Sequence, residues 1–316
     1  MNNSHSKIPR SSSVILAFIT VYIVWGSTYF FIRHALSGFP PLLLGAIRFI
    51  TAGLLLMIWA LIKKEKLVEW RAMKIAAISG FFILFIGNGV VIYVEQYVSS
   101  AWAAIIVSAA PIWFVLYDKL HWKENFGSKS ILAGLAMGII GIILLFSENI
   151  TSIKANTNHY QILAFISLTI GSMSWVIGSL YAKYSKPEFP AVVNTTWQMF
   201  FAGIYFLLGA FVKNEFRSFQ LTQVSFNAWA SLCYLIIFGS ILGYSCYVWL
   251  MQVRSPAQVS TYAYVNPVVA VLLGVYLGSE HISLLQLTGL FVILLSVLLI
   301  NLKKYLQRNG ELKMES

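Results

Sequence analysis

Charge is scarce in this chain: Asp, Glu, Lys and Arg together make up 10% of its residues, against about 25% in a soluble domain. Aspartate occurs only at Asp118, which excludes an intramembrane protease built on two aspartates. The histidines (His5, His34, His121, His159 and His281) all fall in tails or between apolar runs, and there is no His-Glu-x-x-His pair to hold a catalytic metal. A Gly-x-x-x-x-Gly-Lys-Ser/Thr phosphate loop is missing, as is a Thr-Val-Gly-Tyr-Gly potassium filter. Cys233 and Cys246 share one apolar run, so core thiols are expected and not a disulfide framework. These absences argue against an enzyme, and no metal or cofactor is expected.

What fills the chain is apolar surface. Hydrophobic residues make up 59% of it, and the mean hydropathy is +0.77. Runs of about 20 apolar residues, the length that crosses roughly 30 Å of hydrocarbon as a helix, recur throughout. They predict an all-α polytopic membrane protein with ten transmembrane helices, at about 14–32, 42–62, 75–94, 97–117, 130–146, 161–181, 191–212, 229–250, 257–277 and 284–301. Polar residues 1–13 lead directly into the first span without a cleavage site, so that helix is expected to be retained. The net charge of +11 does not point to nucleic acid, because the basic residues sit in short linkers. Of the 22 lysines and arginines, only Arg33, Lys154, Lys213 and Arg217 fall in linkers on the side opposite the termini, and only Arg48 lies inside a span. That asymmetry predicts a multi-pass protein of the cytoplasmic membrane with both termini in the cytoplasm.

The chain repeats itself. Gly87–Glu124 aligns without a gap on Gly243–Glu280, matching Gly87 with Gly243, Gln96 with Gln252, Pro111 with Pro267 and Glu124 with Glu280. At an offset of 150, Trp25 matches Trp175, Phe39-Pro40 matches Phe189-Pro190, and Ala52-Gly53 matches Ala202-Gly203. Each half then holds five spans, and an odd number forces the second half to enter the membrane upside down. Such inverted repeats place a substrate site near the midplane. The expected organisation is a cytoplasmic tail 1–13, a first repeat 14–146, an external linker 147–160, a second repeat 161–302 and a cytoplasmic tail 303–316.

Arg48 is the first candidate for function. It lies about eight residues, or roughly 12 Å, into its span, where a charge costs about 2.5–3.5 kcal/mol and normally faces a cavity or a partner. It suits a carboxylate or phosphate, although an arginine at that depth can also snorkel or brace loops. Its repeat mate is the polar Gln198. Glu95 is the only carboxylate near the hydrocarbon. Pairing with Arg48, proton coupling and a place in a tight turn are all open to it. Trp25-Gly26-Ser27-Thr28-Tyr29 offers an aromatic ring and two hydroxyls, and Trp25 and Trp175 can close a cavity from the two halves or anchor helices at the interface. Asn88 between two glycines should face inward, since an unbonded amide is costly in lipid. Tyr262 and Asn266 precede Pro267. Pro111 and Pro267 each remove a backbone donor and are expected to kink their helices.

These stretches resemble the drug/metabolite transporter superfamily, and within it the ten-helix EamA permeases, YedA-like members among them. The resemblance is carried by Ile23-Val24-Trp25-Gly26-Ser27-Thr28-Tyr29-Phe30, by Phe39-Pro40-Pro41 with Arg48-Phe49, by Gly87-Asn88-Gly89, and by the small-residue helix through Pro267 to Gly278-Ser279-Glu280. It covers about 14–301, and departs where His121-Trp122-Lys123-Glu124 replaces a Leu-Gly-Glu ending. It implies two inverted five-helix repeats around a cavity and transport, often export, of small metabolites such as amino acids. The chain is thus expected to be a permease working by alternating access. Trp25, Ser27, Thr28, Arg48, Asn88, Glu95, Trp175, Gln198, Tyr262 and Asn266 are its candidate substrate contacts. Its partners would be a small-molecule substrate and the lipid bilayer, with no nucleic acid, in a monomer or homodimer. The alternative is a membrane-embedded enzyme or a scaffold without transport activity.

Overall fold

A computed structural model describes residues 11–98, 100–153, 159–185, 190–278 and 283–314. Parts of the expected tails and of the 147–160 linker, and Glu280, lie outside the described residues. Helix dominates and no strand occurs among the described residues. The first helix, α1 (Ser11–Ala35), shows why. Val14, Ala17, Val21, Val24, Thr28 and Ile32 recur at helical spacing and are buried, while Ile15, Leu16, Ile19 and Ile23 are exposed yet equally apolar. A helix apolar all round, with one face on its neighbours and the other bare, is suited to lipid.

From α1 the chain turns at Pro40 into α2 (Pro41–Ile62), with proline in the first turn, where its missing N–H is no loss. There follow α3 (Trp70–Val94), α4 (Ser100–Val107), α5 (Ala110–Tyr117), α6 (Trp122–Gly127), α7 (Lys129–Ile153) and α8 (His159–Tyr184). The chain continues through α9 (Ala191–Val212), α10 (Phe226–Val253), α11 (Pro256–Val259), α12 (Tyr262–Gly278) and α13 (Leu284–Met314). Among the described residues, seven helices are long and apolar enough to cross a membrane by themselves, or eight if a pair bent by 65° near Asp118 counts as one. The expected spans outside that set have identifiable reasons. The fourth breaks at Ser108–Ala109 and restarts with Pro111 in the first turn of α5. The fifth is short as an apolar stretch, Lys129–Leu145, although its helix runs on to Ile153. The ninth is interrupted at Ser260–Thr261, ahead of Pro267, which lies inside α12.

The packing is reciprocal. α2 lies along α9, and α7 along α13. α1 packs on α10 and α12, while α8 packs on α3, α4 and α5. Residues 150 positions apart exchange roles at the α2–α9 contact. A Cβ at Gly53 would stand 2.9 Å from the backbone N of Phe200, and one at Gly203 would stand 2.7 Å from that of Ile50. Only glycine lets the two backbones approach so closely. The two non-glycine residues with left-handed backbone among those described, Lys64 and Asn214, both at φ 56°, terminate α2 and α9 and are again 150 apart. α3 and α10 each widen into a π-helical stretch, Phe81–Asn88 and Leu235–Tyr244, ending on residues 156 apart. π-helical insertions commonly mark functional positions.

The bundle has two ends. Leu36, Gly38, Tyr93, Gln96, Lys213 and Glu215 meet at one, here the first end. At the second end, Lys183 Nζ donates to the carbonyls of Met251 and Arg254 at 2.5 and 2.9 Å.

Candidate functional site

Both π-helical stretches end beside a cavity of about 70 Å³, space for a few water molecules. It reaches from Ile32 and Val91, near the first end, to Trp25 and Trp175, midway along their helices. α2 supplies Arg48 to its wall, α3 Asn88, α8 Ser172, α10 Ser240 and Tyr244, and α12 Tyr262 and Asn266.

Arg48 is 3% exposed. Its Nε donates to Ser240 Oγ at 2.9 Å and its Nη1 to Asn88 Oδ1 at 3.4 Å, while its guanidinium lies 4.8 Å from the Phe49 ring. Among the described residues no carboxylate lies within ion-pair distance of Arg48. A buried cation held only by neutral groups is an electrostatic invitation to an anion. Two other lining residues offer acceptors: Ser172 Oγ and Asn266 Oδ1 are buried without a hydrogen-bond partner. Buried polar atoms are rarely left so, and both belong to residues that line the cavity.

Aromatic rings close the cavity midway along the bundle. The Trp25 ring lies 5.3 Å from Trp175, 5.0 Å from Tyr247 and 4.9 Å from Tyr262. Hydrogen bonds fix the rings. Trp25 Nε1 donates to the Gly239 carbonyl at 3.2 Å and Trp175 Nε1 to Tyr247 Oη at 3.0 Å. Tyr247 Oη shares a bond of 2.6 Å with Ser179 Oγ, and Tyr244 Oη donates to Gln198 Oε1 at 2.9 Å. Beyond the rings lies a second crevice of about 460 Å³ toward the second end, lined among others by Ser179, Lys183, Asn194, Gln198 and Gln252. The aromatic layer therefore stands between the cavity and the crevice.

Of the residues expected along the path, Trp25, Thr28, Arg48, Asn88, Trp175, Tyr262 and Asn266 line the cavity. Thr28 spends its hydroxyl on the Trp25 carbonyl at 2.7 Å. Ser27 points elsewhere, bonding the Val24 carbonyl and Tyr234 Oη. Gln198 lies beyond the aromatic layer and holds Ser79 Oγ at 2.7 Å through Nε2. Glu95 is buried but does not line the cavity, and its charged neighbour is Arg33 rather than Arg48. Sequence reasoning missed Tyr29, Ser172, Ser240 and Tyr244 as cavity residues. Tyr244 had a signal, being the repeat mate of Asn88. Ser172 and Ser240 had none to separate them from the many other serines in apolar runs.

A model of the EamA-like transporter family matches residues 12–147 and 162–302. The chain is 36% identical over 293 residues to the uncharacterized inner membrane transporter YedA of Escherichia coli strain K12, covering 92% of this chain and 91% of that protein. It is 23% identical to the uncharacterized transporter YvbV of Bacillus subtilis strain 168, covering 96% and 95%. It is 26% identical to protein PecM of Dickeya dadantii, covering 88% of each. A solved crystal structure, 16% identical, has the same fold with a TM-score of 0.71, covering 93% of this chain and 99% of that one.

Proposed function

The chain belongs to the EamA-like transporter family, and from that premise we propose that it is a secondary transporter, a permease or exporter, of small carboxylate-bearing metabolites such as amino acids or related compounds. It works by alternating access across the cytoplasmic membrane. Arg48 carries the reading: a buried guanidinium faces the cavity with no carboxylate against it among the described residues. Substrate supplies the missing anion. The rings of Trp25, Trp175 and Tyr262 enclose the rest of it, and Asn88 and Asn266 add hydrogen bonds.

The architecture we propose is ten spans in two inverted five-helix repeats, 14–146 and 161–302, with both termini cytoplasmic. Reciprocal contacts support it: Gly53 with Phe200 against Gly203 with Ile50, and Gly87 with Trp175 against Gly243 with Trp25. An inverted pair of halves gives two alternative openings by exchanging conformations. The cavity and the crevice on either side of the aromatic layer are candidates for the two, with the crevice toward the cytoplasm by the placement of basic residues.

Mass spectrometry of the medium from cells overproducing the protein tests this, beside cells making an Arg48→Ala/Trp25→Ala form at equal membrane levels. A few related carboxylates should accumulate outside only with the unaltered protein. Media that match would remove export of abundant metabolites from the reading.

A further inference from the structure

Three buried carboxyl groups among the described residues differ in what they touch. Asp118 Oδ1 accepts from Tyr184 Oη at 2.5 Å and lies 3.1 Å from His121 Nδ1. Glu215 Oε2 accepts from the Leu43 backbone N–H at 2.8 Å. Glu95 is 3% exposed, and neither of its carboxyl oxygens has a hydrogen-bond partner.

The placement of Glu95 is not that of a cap. It follows the last turn of α3, where the helix dipole presents its negative end and disfavours a carboxylate. No ion pair within 4.0 Å compensates it among the described residues. An ionised carboxylate with neither partner nor solvent is costly, and the neutral acid is the form such a site favours. Burial pushes the Glu95 carboxyl well above the usual carboxylate range, and Arg33 pulls it partly back.

Its neighbours on α1 lie toward the first end on one side and toward the cavity on the other. Arg33 of α1, exposed near the first end, is the charged group that acts on it. One turn along the same helix, Tyr29 lines the cavity. Elsewhere around it, α2 brings Arg48 to the cavity, α8 has no charged residue over 162–182, and Lys213 acts on the neighbouring Tyr97.

We propose that Glu95 is the proton-binding site that couples this transporter to a proton gradient. The inference rests on the transporter reading above. Glu95 takes a proton from hydronium at the first end, forming its O–H bond and leaving water. When the cavity changes its access, that O–H bond breaks and the proton passes to water on the Tyr29 side. The carboxylate left behind is stabilised by Arg33 until it is protonated again.

Two measurements on the full-length protein in lipid test this. The first is an infrared pH titration in nanodiscs, which needs no substrate. The wild type should show a buried protonated carboxylic acid near neutral pH that fades as pH rises, and Glu95→Gln should lack that band. Identical spectra would overturn the proposal. The second uses proteoliposomes and a mixture of the common L-amino acids as probe, read by mass spectrometry with and without an imposed pH gradient. Wild-type flux should change severalfold with the gradient, Glu95→Gln flux should ignore it, and Glu95→Asp should regain the response. A Glu95→Gln form as responsive as the wild type would also overturn it. If the wild type moves none of the amino acids, the cargo reading fails, and the infrared titration still decides the proton site.

Discussion

Arg48 and Ser240 meet across the two halves of the chain, Nε donating to Oγ at 2.9 Å. The contact aims the guanidinium without neutralising it. Arg48→Ala should lower flux of a carboxylate substrate about tenfold to a hundredfold, the equivalent of roughly 1.5–3 kcal/mol for hydrogen bonds to a charged group. Arg48→Lys should not restore it, because an ammonium lacks the planar fork. Ser240→Ala should cost less, since it removes only the aiming contact. Initial rates in proteoliposomes at matched protein density decide the order, and a Lys variant equal to the wild type would reduce Arg48 to a point charge.

The α2–α9 contact predicts a change of stability. At Gly203 an added methyl would meet the Ile50 backbone N at 2.7 Å, and backbone cannot swing aside. Gly203→Ala should therefore destabilise the protein by about 1–3 kcal/mol, the usual cost of overpacking, and Gly53→Ala by a similar amount. The open position of Gly127, with nothing within 4 Å of an added Cβ, is the control. Thermal unfolding in detergent, followed by fluorescence-detected gel filtration, should show a lower midpoint for the first two only.

Much of this is legible in the sequence alone. Apolar run length located the long helices, because hydrocarbon thickness sets a span and little else competes. Arg48, Trp25 and Trp175 stand out in the sequence as a charge and two large rings inside or near apolar spans, and all three line the cavity. The breaks at Ser108–Ala109 and Ser260–Thr261 were not readable. A proline marks the neighbourhood of a break, while packing decides which residues leave the helix. Ser172 and Ser240 could not be told from other serines, since a serine in an apolar run can bond its own helix, as Ser27 and Ser179 do. The π-helical stretches were equally silent, for no residue type requires that geometry.

The aromatic layer should leak when its hydrogen bonds are cut. Tyr247 Oη joins Trp175 Nε1 and Ser179 Oγ, so Tyr247→Phe leaves the part-buried indole N–H without its acceptor, at a cost of about 1 kcal/mol. Trp175 should then sample other positions. Indole fluorescence of a form keeping Trp175 should become more quenchable by acrylamide in Tyr247→Phe, whereas Tyr22→Phe, cutting the Tyr22–Thr261 bond away from Trp175, should leave it unchanged.

At the second end a latch joins the halves. Tyr184, closing α8, donates to Asp118 Oδ1 at 2.5 Å, just past the end of α5, and His121 Nδ1 lies 3.0 Å from the Tyr184 hydroxyl. Asp118 is 1% exposed, so its carboxylate relies on these partners, and a hydrogen bond to a charged group contributes roughly 1.5–3 kcal/mol. Tyr184 also lines the crevice beyond the aromatic rings, so removing its hydroxyl tests whether this contact holds the crevice at its width. Tyr184→Phe should shift the equilibrium toward the wider crevice. With Cys233 and Cys246 replaced by serine, a cysteine at the buried crevice position Asn194 reports the change. Its labelling by a membrane-impermeant maleimide from the second end should quicken about tenfold in Tyr184→Phe, the kinetic counterpart of about 1.4 kcal/mol. Equal labelling rates would make the Tyr184–Asp118 contact a static brace between the halves.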